Sequence, residues 1–279
     1  MRRRRAIALA VVIAALVATA YLVLESRGGV DRPADWFTNT HGVERHRETI
    51  NSDAVGKSLS VDVLVPPDAG DDPALLVFLH GRGTSEDKLS NSPMMEALAK
   101  SGRNAPVVAL PYGDEASYWH NRTTGAWEDY VVDEVIPMAV EKYGVDEDSV
   151  AIGGISMGGY GAYLIAAKNP GRFCAVGGHS PAIWQRPGET AEGAFDNSED
   201  FDSNDVIATA SNGYGSSKLW IDAGDKDPFM PGDRALESVL NAAGTDLTFK
   251  TWPGEHDEDY WSEHFDDYFR FYRLALGDC

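Results

Sequence analysis

The sequence predicts an α/β domain with a mainly parallel central sheet and helices on both faces. Three observations carry that expectation. Apolar runs of four to six residues recur along the chain, as expected of strands buried on both faces. Amphipathic stretches of helical length separate them, which is how neighbouring parallel strands are joined. The chain has 279 residues, and about 250 of them follow the N-terminal segment, enough for one domain with a sizeable core.

The elements follow in order. Arg2, Arg3, Arg4 and Arg5 precede an apolar run over residues 6–24, interrupted mildly by Thr19 and Tyr21. As a helix that run spans about 28 Å, close to the hydrocarbon thickness of a bilayer. The basic cluster would stay in the cytoplasm and the rest of the chain would be exported. Ala18-Thr19-Ala20 offers a signal-peptide cleavage site. The run continues past it to Leu24, which favours an uncleaved membrane anchor over a cleaved signal. Residues 25–45 read as a polar linker and 46–279 as the folded domain. Residues 58–65 alternate in part and end at Pro66-Pro67, a strand paired in a hairpin with 46–52. Further strands are expected at 74–79, 106–110, 149–153, 173–176, 218–221 and 247–251. Helices are expected at 92–101, 127–143, 157–168, 232–243 and 257–274. Residues 185–213 break the alternation. They are rich in Gly, Asn, Ser and acidic residues and read as a solvated excursion over the sheet edge, with a partial lid as the alternative.

The formal net charge is −20. Residues 1–29 hold five Arg and one Glu; without them 19 basic residues face 43 acidic ones, a balance of −24. Such acidity argues against nucleic acid or an anionic membrane surface as a partner of the folded part. Cys174 lies in an apolar run and reads as a small core residue. Cys279 is the only other cysteine, and spacing alone does not decide whether the two pair. No Cys-His spacing suggests a metal, and no cofactor is called for.

One motif carries chemistry. Gly154-Ile155-Ser156-Met157-Gly158 follows an expected strand and opens an expected helix. That strand-turn-helix setting is what a nucleophile elbow requires: glycines leave room for a sharp turn, and the helix N-terminus faces the serine. Ser156 is therefore the candidate nucleophile. His256 follows the last strand and precedes the last helix, where its base would be needed. An acid must orient that base. Asp222, Asp225 and Asp227 compete, and Asp227, beyond the end of its strand, is preferred over Asp225. The Met157 amide follows the nucleophile, and the Arg82 amide lies in the Gly-rich turn His80-Gly81-Arg82-Gly83; both are candidate oxyanion donors. His80 and Trp119 are candidates for a substrate pocket, beside Tyr118 and Trp127.

These stretches resemble a known family: the α/β-hydrolase-fold esterases related to esterase D (S-formylglutathione hydrolase), feruloyl esterases and mycolyltransferase antigens. The likeness rests on residues 79–83, 127–137 and 152–162, and on Pro253-Gly254-Glu255-His256-Asp257. It implies an α/β-hydrolase fold over roughly residues 45–275. It also implies a triad of Ser156, Asp227 and His256, with Arg82 and Met157 at the oxyanion. The family often has Gly before the base; Glu255 stands there in this chain and puts a charge beside it. The activity implied is hydrolysis of a small-molecule, lipid or sugar ester through an acyl-enzyme, without metal or cofactor. Acyl transfer to a sugar or cell-envelope alcohol is the runner-up, and a non-catalytic surface binding protein is a third reading.

Overall fold

The computed structural model describes residues 40–279. The expected anchor or signal, and the linker up to residue 39, lie outside the described residues. Among the described residues, no helix is long and apolar enough to cross a membrane.

β1 (Glu44–Ser52) and β2 (Lys57–Val65) form an antiparallel hairpin, so Glu44 and Arg45 belong to a strand rather than to the linker. β3 (Leu75–Leu79), β4 (Val107–Pro111), β7 (Val150–Ile155), β8 (Ala175–His179), β9 (Lys218–Gly224) and β10 (Leu247–Trp252) complete the main sheet. β5 (Asn121–Arg122) and β6 (Gly125–Ala126) make a separate small hairpin. The main sheet runs β1-β2-β4-β3-β7-β8-β9-β10. β2 meets β4 antiparallel, and every later pair is parallel.

Both faces of the inner parallel strands are buried, whereas β10 at the sheet edge is only partly so, and the pleat explains the apolar runs of the inner strands. Leu75, Val77 and Leu79 of β3 point into one core cluster, whereas Leu76 and Phe78 point into the other. α1 (Ser92–Lys100) and α8 (Glu258–Gly277) cover the second face. The first is covered by α2 (Trp127–Asp129), α3 (Ile136–Tyr143), α4 (Met157–Lys168) and α7 (Met230–Ala242). α2 and α3 are joined by a π-helical turn, Tyr130–Val135. The Ile136 amide there bonds the Val131 carbonyl five residues back, directly before Pro137, which has no N–H to continue the regular ladder.

Two expectations are corrected. Cys174 precedes β8 and is half-buried rather than a core residue; it is disulfide-bonded to Cys279, with Cα atoms 5.8 Å apart. β8 continues through Gly177 and Gly178, residues with weak strand preference. Gly177 and Gly153 are needed because Tyr272 of α8 fills the space beside them: a Cβ on either would lie 2.0 or 1.7 Å from its hydroxyl. Residues 185–213 are also not a solvated loop. They contain α5 (Ser198–Ser203) and α6 (Val206–Thr209), capped by the side chains of Asn197 and Asp205. Ala194, Phe201 and Val206 are buried there. Arg122 clasps the segment through Asp196 (2.7 Å) and the Gly193 and Ala194 carbonyls (2.7 and 2.8 Å).

Candidate active site

β7 delivers Ser156 to the carboxyl edge of the sheet. The serine has φ 55° and ψ −114°, a strained conformation for a residue with a side chain. Its neighbours make the turn possible. A Cβ on Gly154 would come within 2.4 Å of the Leu79 carbonyl oxygen, and one on Gly158 within 1.9 Å. The turn is held by Ser156 N–H donating to the His179 carbonyl and Ala182 N–H donating to the Ser156 carbonyl, both at 3.0 Å. α4 begins at the next residue, so its positive end lies at the hydroxyl.

The three residues proposed from sequence converge there. His256 Nε2 lies 2.8 Å from Ser156 Oγ, and His256 Nδ1 lies 2.8 Å from Asp227 Oδ2. The other Asp227 oxygen accepts from the Phe229 amide at 2.8 Å. The Asp227 side chain is fully buried, whereas that of His256 keeps 17% exposure. Phe229 and Trp261 flank the imidazole, with ring centroids 4.9 and 5.1 Å away. A carboxylate that accepts from Nδ1 leaves Nε2 free to take a proton from the serine.

Asp225 does something else. Its Oδ1 accepts from the Gly254 amide at 3.1 Å, and the Lys226 amide donates to the Gly254 carbonyl at 3.0 Å. It staples the loop that carries His256. Glu255 is exposed. Asp222 is fully buried and accepts from Trp220 Nε1 (2.7 Å), Tyr260 (2.9 Å) and Tyr268 (3.0 Å), with His179 Nδ1 at 2.7 Å. Sequence reading missed this cluster, in which three side chains from distant segments meet one acid. His264 packs face-on against Trp252 at 4.1 Å.

A cleft of about 730 Å³ opens over Ser156 and His256. Phe78, Met94 and Phe265 line it, as do Tyr118, Trp184 and Phe229. Ala191 of the 185–213 segment also borders it. Arg82 lies at its rim, with its guanidinium donating to the Glu192 carbonyl at 3.3 Å. The Gly81-Arg82 turn abuts the serine: a Cβ on Gly81 would lie 3.4 Å from Ser156 Cβ. Trp119 is not a pocket residue. It is fully buried in a slot made by Gly113 and Gly161, where any Cβ would collide with its ring or Cβ. Trp127 is likewise fully buried. His80 borders the cleft, but its ring is nearly buried and hydrogen-bonded on both nitrogens.

The chain is similar to known proteins along most of this architecture. A solved S-formylglutathione hydrolase from Agrobacterium tumefaciens superposes with a TM-score of 0.73 at 21% identity, covering 86% of this chain and 98% of that one. MPT51 from Mycobacterium tuberculosis superposes with a TM-score of 0.69 at 18% identity, covering 84% and 99%. In sequence, Esterase MT1326 of Mycobacterium tuberculosis is 28% identical over 144 residues, 48% of this chain. This chain spans only 31% of that relative's length. The family model described as "Putative esterase" matches residues 52–272, from the end of β1 almost to the end of α8, and the chain belongs to that esterase family.

Proposed function

We propose that the protein is an exported serine esterase that cleaves carboxylic esters through an acyl-enzyme. Ser156 Oγ attacks the acyl carbon while His256 Nε2 takes its proton. The tetrahedral intermediate collapses, the ester C–O bond breaks, and His256 returns the proton to the departing alcohol. Water, deprotonated by the same imidazole, then releases the acid. Asp227 holds the imidazole tautomer and stabilises its cation. The amides of Arg82 and Met157 receive the oxyanion; neither donates to another backbone group in the turns and loops of the described residues.

The observation that carries this reading is the pair of 2.8 Å contacts from His256 to Ser156 and Asp227. Export is supported by the basic-then-apolar N-terminus and by the Cys174–Cys279 disulfide, since such bonds persist mainly in oxidising compartments. A fluorophosphonate probe tests the chemistry. Wild type should label and Ser156→Ala should not; an unlabelled wild type, or equal labelling of both, overturns the reading. Product analysis with glycerol or trehalose present separates water from an alcohol as the acyl acceptor.

A further inference from the structure

We propose that His80 is a positioning residue for the oxyanion: its imidazole sets the plane of the Gly81–Arg82 peptide and so aims the Arg82 N–H at the reacting oxygen. The inference rests on the esterase reading above and adds a residue to it.

The Gly113 amide donates to His80 Nε2 at 2.9 Å. A nitrogen that accepts carries no proton, so the ring proton sits on Nδ1. Nδ1 lies 2.8 Å from the Gly81 carbonyl oxygen and donates to it. The Gly81–Arg82 peptide is trans, as are all peptide bonds of the described residues. In a trans peptide the C=O and the following N–H lie in one plane and point in opposite directions. The Gly81 oxygen also accepts from the Thr84 amide, at the longer 3.3 Å; the closer bond to His80 fixes that oxygen's direction and so turns the Arg82 N–H to the opposite side of the plane. Gly81 supplies no side chain to hold this peptide, and its Cα faces Ser156 directly.

His80 is itself held on several sides. Trp119 Nε1 donates to its carbonyl at 3.3 Å, and the indole edge meets the imidazole at 5.1 Å. Tyr112 stacks on the ring at 5.6 Å. Trp119 keeps that position with φ 58°, a strained backbone for a residue with a side chain. Burial lowers the His80 pKa to about 4, so the ring stays neutral and keeps its acceptor nitrogen through the neutral range.

Two substitutions separate the ring's two bonds. His80→Asn puts an amide N–H near the Nδ1 position and preserves the bond to Gly81. His80→Gln puts an amide oxygen near the Nε2 position and preserves only the bond from Gly113. Each full-length variant is assayed on p-nitrophenyl butyrate, and its inhibition by butylboronic acid, which forms a tetrahedral anion on the serine, is measured. His80→Gln should lower kcat by about 10- to 100-fold, below the loss of a whole oxyanion donor, with KM within about threefold on the same reasoning. Boronate affinity should fall by the same factor as kcat, and His80→Asn should restore most of both. Wild-type kcat and boronate affinity in a folded His80→Gln overturn the proposal. So does an equal loss in both variants with a matching rise in KM, the pattern of general damage. The esterase reading fails separately, on wild type alone, if it shows no turnover that Ser156→Ala removes; the role of His80 falls with it.

Discussion

Asp225 and Asp227 stand two residues apart in one turn, and their partners separate them. Asp227 bonds the imidazole, whereas Asp225 bonds a backbone amide of the loop that carries it. Asp227→Asn should lower kcat by about 10³- to 10⁴-fold, because the imidazole loses its orienting anion. Asp225→Asn keeps an acceptor for Gly254 and should cost less than about tenfold, as expected of a change that only loosens positioning. Steady-state kinetics on one p-nitrophenyl ester decides between them. A second acid nearby gives a pH test. Asp233 is fully buried, and neither of its oxygens has a hydrogen-bond partner. Burial first, then the charges of Asp227 and Asp222, raise its pKa well above the usual carboxylate range, opposed by Arg234. A raised carboxyl pKa contributes stability below the unfolded value, and that contribution fades as pH rises toward the folded value. Asp233→Asn should therefore match wild type in urea unfolding near pH 4 and be the more stable protein near pH 8. Ser156 and His256 could be picked from sequence because each is marked locally, by a strand-turn-helix and by its place after the last strand. Asp225 and Asp227 could not be separated with the same force, because the bonds that distinguish them reach 29 residues along the chain. Trp119 was misread for a related reason: the slot that buries it is made by Gly113 and by Gly161 on another element.

Among the elements, the inner parallel strands were legible because burial on both faces leaves no polar alternation to confuse with a half-exposed strand. Their ends were less so. β8 continues through two glycines that strand propensity disfavours: Tyr272 from the far end of the chain fills the space beside Gly177, and Pro181 and Tyr163 crowd Gly178. The 185–213 segment was unreadable as structure because its helices are six and four residues long, too short for a periodic pattern to register. Its acids look like a solvated run, yet Asp196 and Asp200 meet Arg122 and His120. Arg122→Ala removes the bonds to Asp196 and to two carbonyls of the segment at once. That variant should be cut by a protease within residues 185–200 at least about tenfold faster than wild type, as local opening becomes easier. The sheet core should stay intact, and kcat should fall less than the cleavage rate rises. Unchanged cleavage would mean that buried apolar residues such as Phe201 hold the segment alone.

For the molecule as a whole, the Cys174–Cys279 disulfide bridges residues 105 apart in sequence and fastens the end of α8 beside the start of β8. No local pattern announces such a pairing; it depends on where a 20-residue helix ends. The bond should restrict the unfolded chain more than it shapes the site. Cys174→Ser should lower the unfolding free energy by about 2–4 kcal/mol and Tm by roughly 5–10 °C. Turnover should change less than about twofold, since α8 sets its two ends about 30 Å apart and His256 precedes the other end. Calorimetry with and without reductant reads the first, and ester hydrolysis the second. The most direct measurement concerns the serine with which the site begins. Wild type and Ser156→Ala are mixed with a slowly deacylated p-nitrophenyl ester, quenched in acid, digested and weighed by mass spectrometry. An esterase working through this triad carries the acyl mass on the peptide containing Ser156, and Ser156→Ala carries none and turns over no ester. Acyl mass on another residue, or wild-type turnover by Ser156→Ala, contradicts it.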